Sequence, residues 1–123
     1  MAQLAAIGIV TRDVAEAARF YRTLGLDVPE PTPGEDHFEI TLPGGLRLMW
    51  DTVELVRQLD PGWTAPTGQR SALAFECDVD TVHARLVEAG FESKAAPWDA
   101  FWGQRYAQVF DPDGNAVDLF RAL

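Results

Sequence analysis

Apolar and polar positions change period several times along the chain, and each change marks an element. Residues 4–10 (LAAIGIV) form an apolar, β-rich run suited to a strand covered on both faces. Val14, Ala17, Ala18, Tyr21 and Leu24 then recur at helical spacing. Asp13 stands at the N-cap, Glu16 at the capping-box position, and Gly25 just past the end. Residues 26–28 suggest a short strand, after which Pro29, Pro31, Pro33 and Gly34 impose an irregular loop. Residues 37–42 (HFEITL) alternate, with Phe38, Ile40 and Leu42 on one face and His37, Glu39 and Thr41 on the other. Pro43-Gly44-Gly45 turns the chain into a strand over 46–50. Residues 53–59 suit a helical turn or two, and 61–68 a loop carrying Trp63.

The pattern then starts again. Residues 72–77 read as a strand and Asp78 or Asp80 as a helix cap. Val82, Leu86 and Val87 form the helix's apolar face, Gly90 its stop, and Phe91 the opening of a short strand. Asp13-Val14 and Gly25-Leu26 in the first half match Asp78-Val79 and Gly90-Phe91 in the second, at equal spacing. Each half therefore reads β-α-β-β-β, and repetition of a whole supersecondary unit is more diagnostic than any single motif. The last stretch, 101–120 (FWGQRYAQVFDPDGNAVDLF), carries an aromatic cluster and two alternating runs, 104–110 and 116–120. Asp111-Pro112-Asp113-Gly114-Asn115 between them has the chemistry of a tight hairpin turn.

Composition narrows the function. A chain of 123 residues, 47% apolar and 24% charged, suits one globular domain with a workable core. Ten basic against 19 acidic residues give a net charge of −9, which disfavours nucleic acid or an anionic membrane and favours either solubility alone or attraction of a cationic ligand. No apolar run approaches the roughly 18 residues of a membrane span. No basic segment leads an apolar one at the N-terminus, and the single cysteine, Cys77, cannot form an internal disulfide. A cytoplasmic protein is expected. Cys77 reads as a buried structural thiol, with a nucleophilic pair with His83 as the alternative.

The WGQRY…DPDGN…DLF wording and the duplicated module resemble the vicinal oxygen chelate superfamily of glyoxalase I, extradiol dioxygenases and bleomycin-resistance proteins. The last branch is the most similar. The resemblance implies an α+β fold in which two βαβββ modules form a concave mixed sheet around a cavity, with helices on the convex side. It spans a single domain over 1–123, with module one at about 1–52, a connector at about 53–69 and module two at about 70–123. Enzymes of the family hold a divalent metal with four side chains from the first and last strands of each module. Matched strand by strand, those positions are Ala6, Leu48, Ala72 and Asp118, so one carboxylate stands where three or four ligands are needed. No metal or other cofactor is expected.

With alanine and leucine at these positions the cavity is apolar. Strand alternation groups Leu46, Leu48 and Trp50; Ala116, Asp118 and Phe120; and Ala72, Ala74 and Glu76. Four tryptophans, Trp50, Trp63, Trp98 and Trp102, offer flat surfaces, the last three in expected loops or at strand starts. The resemblance implies that Trp102 in WGQRY and Phe38 in DHFEI are stacking residues, that the ligand is an aromatic cation, and that the protein is a homodimer. The expected ligand-binding set is Phe38, Leu48, Trp50, Trp63, Glu76, Trp98, Trp102, Tyr106 and Asp118, with no catalytic residue. Three functions stay open. The first is a metal-free protein that sequesters a planar cationic natural product or antibiotic. The second is a metal-independent isomerase or cyclase, with Asp118, Glu76 or His37 as base and Arg105 or Tyr106 steadying an oxyanion. The third is a glyoxalase- or dioxygenase-type metalloenzyme, against which the missing ligands argue.

Overall fold

The computed structural model describes residues 1–69 and 71–123. Its elements run β1 (Ala6–Thr11), α1 (Val14–Leu24), β2 (His37–Thr41), β3 (Arg47–Thr52), α2 (Val53–Leu59), β4 (Leu73–Glu76), α3 (Val79–Glu88), β5 (Ser93–Ala100), β6 (Gln104–Phe110) and β7 (Ala116–Ala122). This is an α+β fold with two mixed sheets. Contacts group the chain into two units: Met1–Arg19 with Asp27–Ala65, and Phe20–Leu26 with Pro66–Leu123. The expected start of module two at 70 lies outside the described residues.

In the first unit the sheet order is β1-β3-β2, with β1 parallel and β2 antiparallel to β3. Residues 26–28 form no strand, so the first module is βαββ rather than βαβββ. The run between Gly25 and Pro29 is too short to build a ladder, and proline brings no N–H to one. Val28 is nevertheless buried. Alternation in β3 buries Leu48, Trp50 and Thr52 and leaves Arg47, Met49 and Asp51 on the other face. Phe38 stands opposite Trp50 in the register, and the two rings stack with centroids 4.4 Å apart and planes within 7°. Thr52 caps α2 by accepting a hydrogen bond from Leu55 N–H.

The second unit has sheet order β4-β7-β6-β5. Val79, Val82 and Leu86 of α3 are buried, as are Ala107 and Val109 of β6 and Val117 and Leu119 of β7. Arg105 lies on the same face of β6 as Ala107 and Val109, and its guanidinium binds Asp80 of α3 at 2.9 Å, which fixes that face as the helix-covered one. At the start of β7 the Gln69 side-chain amide acts as a strand residue would. Its Nε2 donates to Ala116 O (3.0 Å) and its Oε1 accepts from Ala116 N–H (2.6 Å).

The duplicated helix signals have matching geometry. Leu26 N–H bonds Tyr21 O past Gly25, and Phe91 N–H bonds Leu86 O past Gly90, both glycines with positive φ. These are the closures that glycine permits at a helix end. Asp13 and Asp78 each accept from a first-turn N–H, of Glu16 and Thr81. The reciprocal half of the expected capping box does not form: Glu16 pairs with Arg19, and the Thr11 hydroxyl takes Asp13 N–H instead.

Candidate ligand-binding face

The face of the second sheet opposite α3 carries a cluster of aromatic and polar side chains. Register aligns Trp98 (β5) with Tyr106 (β6) and Phe120 (β7), and Gln108 with Asp118 and Ala74. Gln104, Tyr106 and Gln108 thus share one face of β6. Tyr106 Oη donates to Asp118 Oδ2 at 2.6 Å, and Gln108 Nε2 to Asp118 Oδ1 at 2.9 Å. Each carboxylate oxygen is oriented by one donor and keeps lone-pair capacity for another. Burial first, and then the Asp118 carboxylate, push the Tyr106 phenol up to about 12, so it remains a donor near neutrality.

Aromatic rings extend this cluster. Trp102 stands in T-shaped contact with Tyr106 (5.2 Å, 81°), Trp98 (6.2 Å, 89°) and Phe101 (5.0 Å, 87°), and Trp98 with Tyr106 (5.4 Å, 70°). Its indole N–H donates to Gln104 Oε1 at 2.8 Å. Trp102 is still 48% exposed and Phe101 96%. The exposed part of Trp102 offers aromatic surface to a ligand. Glu76 is exposed on edge strand β4, opposite Phe120.

The first unit carries a separate polar network. His37 Nδ1 meets Asp51 Oδ1 at 2.5 Å and Nε2 meets Glu39 Oε1 at 2.9 Å, while Arg47 Nε reaches Glu39 Oε2 at 2.6 Å. Hydrogen bonds to Asp51 and then Glu39 raise the His37 pKa, and those from Arg47 and His37 hold Glu39 down at about 2.

Of the expected binding residues, the structure brings together Trp98, Trp102, Tyr106 and Asp118, with Glu76 on the same sheet. Trp98 lies well inside β5, not in a loop or at a strand start. Phe38 (4% exposed), Leu48 (2%) and Trp50 (0%) are in the core. Trp63 follows α2, with the Arg57 guanidinium 6.0 Å from its ring centroid. Gln104 and Gln108 escaped the sequence reading, although the alternation that groups them with Tyr106 runs unbroken through β6.

The chemistry open to other candidates is narrower. Both His37 ring nitrogens are clamped by carboxylates, which suits a bound imidazolium rather than a base. Arg105 lies on the helix-covered face between Asp80 and Asp99, so of the two expected oxyanion partners Tyr106, not Arg105, shares the face of Asp118. His83 bonds Ser93 Oγ (2.8 Å), and burial raises the Cys77 thiol pKa, the reverse of what activates a nucleophile. Among the described residues no group of three or more His, Cys, Asp or Glu is placed to hold a metal ion. Ala6, Leu48 and Ala72 supply no donor atom, and Asp118 is oriented by two protein groups. The side chains at these positions do not fit a metal centre.

A duplicated module, mixed sheets and an aromatic–carboxylate face define a small α+β protein of the glyoxalase-like class. The model of the Glyoxalase/Bleomycin resistance protein/Dioxygenase superfamily matches residues 3–119, and the chain belongs to that superfamily. Among solved structures it is similar to a glyoxalase/bleomycin resistance protein/dioxygenase family enzyme from Burkholderia phytofirmans PsJN. That likeness has TM-score 0.83 and 22% identity, over 99% of this chain and 100% of that one. A glyoxalase-related enzyme from Fulvimarina pelagi gives TM-score 0.80 and 24% identity, over 98% and 88%. TioX from Micromonospora sp. ML1 gives TM-score 0.68 and 20% identity, over 99% and 100%. At these identities the likeness is one of fold. No curated protein matches significantly. Among the described residues, no helix is long and apolar enough to cross a membrane.

Proposed function

We propose that this protein binds and sequesters a planar aromatic small molecule carrying a positive charge, such as a natural-product antibiotic, without altering it. The observation that carries this reading is the half-exposed Trp102 indole, in T-shaped contact with Trp98 and Tyr106 and joined through Tyr106 to the oriented Asp118 carboxylate. The indole face suits a flat ring, worth about 1 kcal/mol beyond area burial. The carboxylate suits a cation, and the net charge of −9 raises the local concentration of one. Membership of a superfamily that includes bleomycin-resistance proteins agrees with this. On the same reading the protein is a cytoplasmic homodimer that needs no metal. The lone cysteine and the family resemblance support that assignment.

Tryptophan fluorescence titration of chelator-treated protein with bleomycin-type and planar aromatic cationic drugs tests the proposal, with mass spectrometry of the recovered ligand. Saturable quenching that weakens in Trp102→Ala, with ligand mass unchanged, is expected. A modified ligand, or binding only after a divalent metal is added, would replace sequestration by catalysis.

A further inference from the structure

The two glutamines that flank Tyr106 on β6 have amide orientations fixed by their partners. The Trp102 indole N–H can only donate, so Gln104 must present Oε1 to it, as the 2.8 Å bond shows. Its NH2 group is then left as a donor. Gln108 is turned the other way: its Nε2 donates to Asp118, leaving the carbonyl oxygen as an acceptor. Both side chains are partly exposed on the open face. Four residues of extended chain separate them by about 13 Å, the length of an elongated polycycle.

We infer that Gln104 is a specificity-determining residue that selects, among flat cationic ligands, those with a carbonyl-type acceptor on the ring system at the Trp102 end. The ligand's ammonium group lies toward Asp118 and the Gln108 carbonyl. Gln104 plays two parts through one amide: Oε1 fixes the plane of the Trp102 indole, and Nε2 reads the acceptor. Trp102 contributes only its π face, because its N–H is already engaged. The polarity of the β6 row, donor at one end and acceptor with carboxylate at the other, also sets the direction in which the ligand lies. This inference rests on the sequestration reading and narrows its ligand class.

The test uses two matched probes: an anthraquinone with a protonated alkylamine side chain, and the anthracene with the same side chain and no ring oxygens. Wild type is expected to bind the quinone about fivefold more tightly, the effect of one hydrogen bond. Gln104→Glu keeps an acceptor for the indole but loses the donor. Its Trp102 emission should stay as in wild type while the quinone preference disappears. Gln104→Met loses both functions, so it should shift the emission and weaken both probes. Both probes carry the same ammonium, so its attraction to the charge added by Gln104→Glu cancels in their ratio, and any carboxylate–carbonyl repulsion only lowers the quinone preference further. Binding of both probes without a preference in wild type, or a quinone preference that survives in Gln104→Glu, would overturn the inference and leave sequestration standing. Failure of both probes to bind wild type would overturn the inference together with the reading beneath it.

Discussion

Asp111 is a buried structural carboxylate of the second unit, and removing it should be costly. It is 5% exposed, and its two oxygens accept four hydrogen bonds, each 2.9 Å long. The donors are Tyr21 Oη of α1, Asp113 N–H, Asn115 N–H and Asn115 Nδ2. One side chain therefore shapes the β6–β7 turn and ties the C-terminal end of α1 to it. Tyr21 is 1% exposed, so its hydroxyl has no ready access to water as a substitute partner. Asp111→Ala takes the acceptor from a buried hydroxyl, from two turn N–H groups and from the Asn115 side-chain amide, at about 1–3 kcal/mol for each group left unsatisfied. The amides are near the surface and recover part of this through water, which leaves a loss of about 3–5 kcal/mol. Tyr21→Phe removes one hydrogen bond to a charged group and should cost about 1.5–3 kcal/mol. For a chain of this size each kcal/mol lowers Tm by about 3–5 °C, so Asp111→Ala should melt about 10–20 °C below wild type. Calorimetry and urea unfolding of both single variants and the double variant measure this. The double should fall short of the summed singles, because they share one bond. An Asp111→Ala loss under about 0.5 kcal/mol, or strict additivity with Tyr21→Phe, would refute the reasoning.

Four further outcomes follow from the geometry. The His37 pKa is raised in the folded state, so its clamp stabilises fully below the ordinary histidine range and is lost as pH rises through the folded value. Urea midpoints should therefore fall between mildly acidic and mildly alkaline pH, by less in His37→Gln than in wild type, and by a modest amount because the pair is partly solvated. Glu39, held at about 2, has the opposite sign: its stabilisation is present above the ordinary glutamate value and is lost on strong acidification, a loss that Glu39→Gln should remove from acid titrations. The Tyr106 phenol should titrate near 12 by ultraviolet absorbance and move down in Asp118→Asn, while burial keeps it above its ordinary value. Gly8 has an ordinary φ and nothing within 4 Å of an added Cβ, whereas Gly114 sits at φ 84° in the turn. Gly8→Ala should accordingly stabilise by about 0.5–1 kcal/mol and Gly114→Ala should destabilise, which paired melting curves would show.

Much of this fold was legible because its signals are local. The alternation over 104–110 coincides with β6, the Asp-Pro-Asp-Gly-Asn turn lies where expected, and both glycine helix stops close as their spacing implies. Two strands were misread for physical reasons. Residues 26–28 are apolar but hemmed in by Gly25 and Pro29. β5 is longer than expected because its ladder slips between Ser93, Ala95 and Trp98, which breaks the alternation that reveals a strand. That slip also hid Trp98 inside the sheet. Alternation grouped Leu48 with Trp50 correctly but does not tell which face of a sheet is covered, and burial places both in the core. The Asp118–Tyr106 pair follows from hairpin register. The Tyr21–Asp111 bond joins residues far apart in the chain and leaves no mark on either local pattern.

The claim that the open face of the second sheet is the binding surface is tested most directly through the four indole N–H groups. In a nitrogen–proton correlation spectrum each of Trp50, Trp63, Trp98 and Trp102 gives one side-chain signal, assignable by single substitution. On titration with a planar aromatic cation, the Trp98 and Trp102 signals should move together and saturate at one ligand concentration. Trp50, stacked on Phe38 in the core, should stay in place. Saturable binding that leaves both Trp98 and Trp102 unmoved would contradict the account.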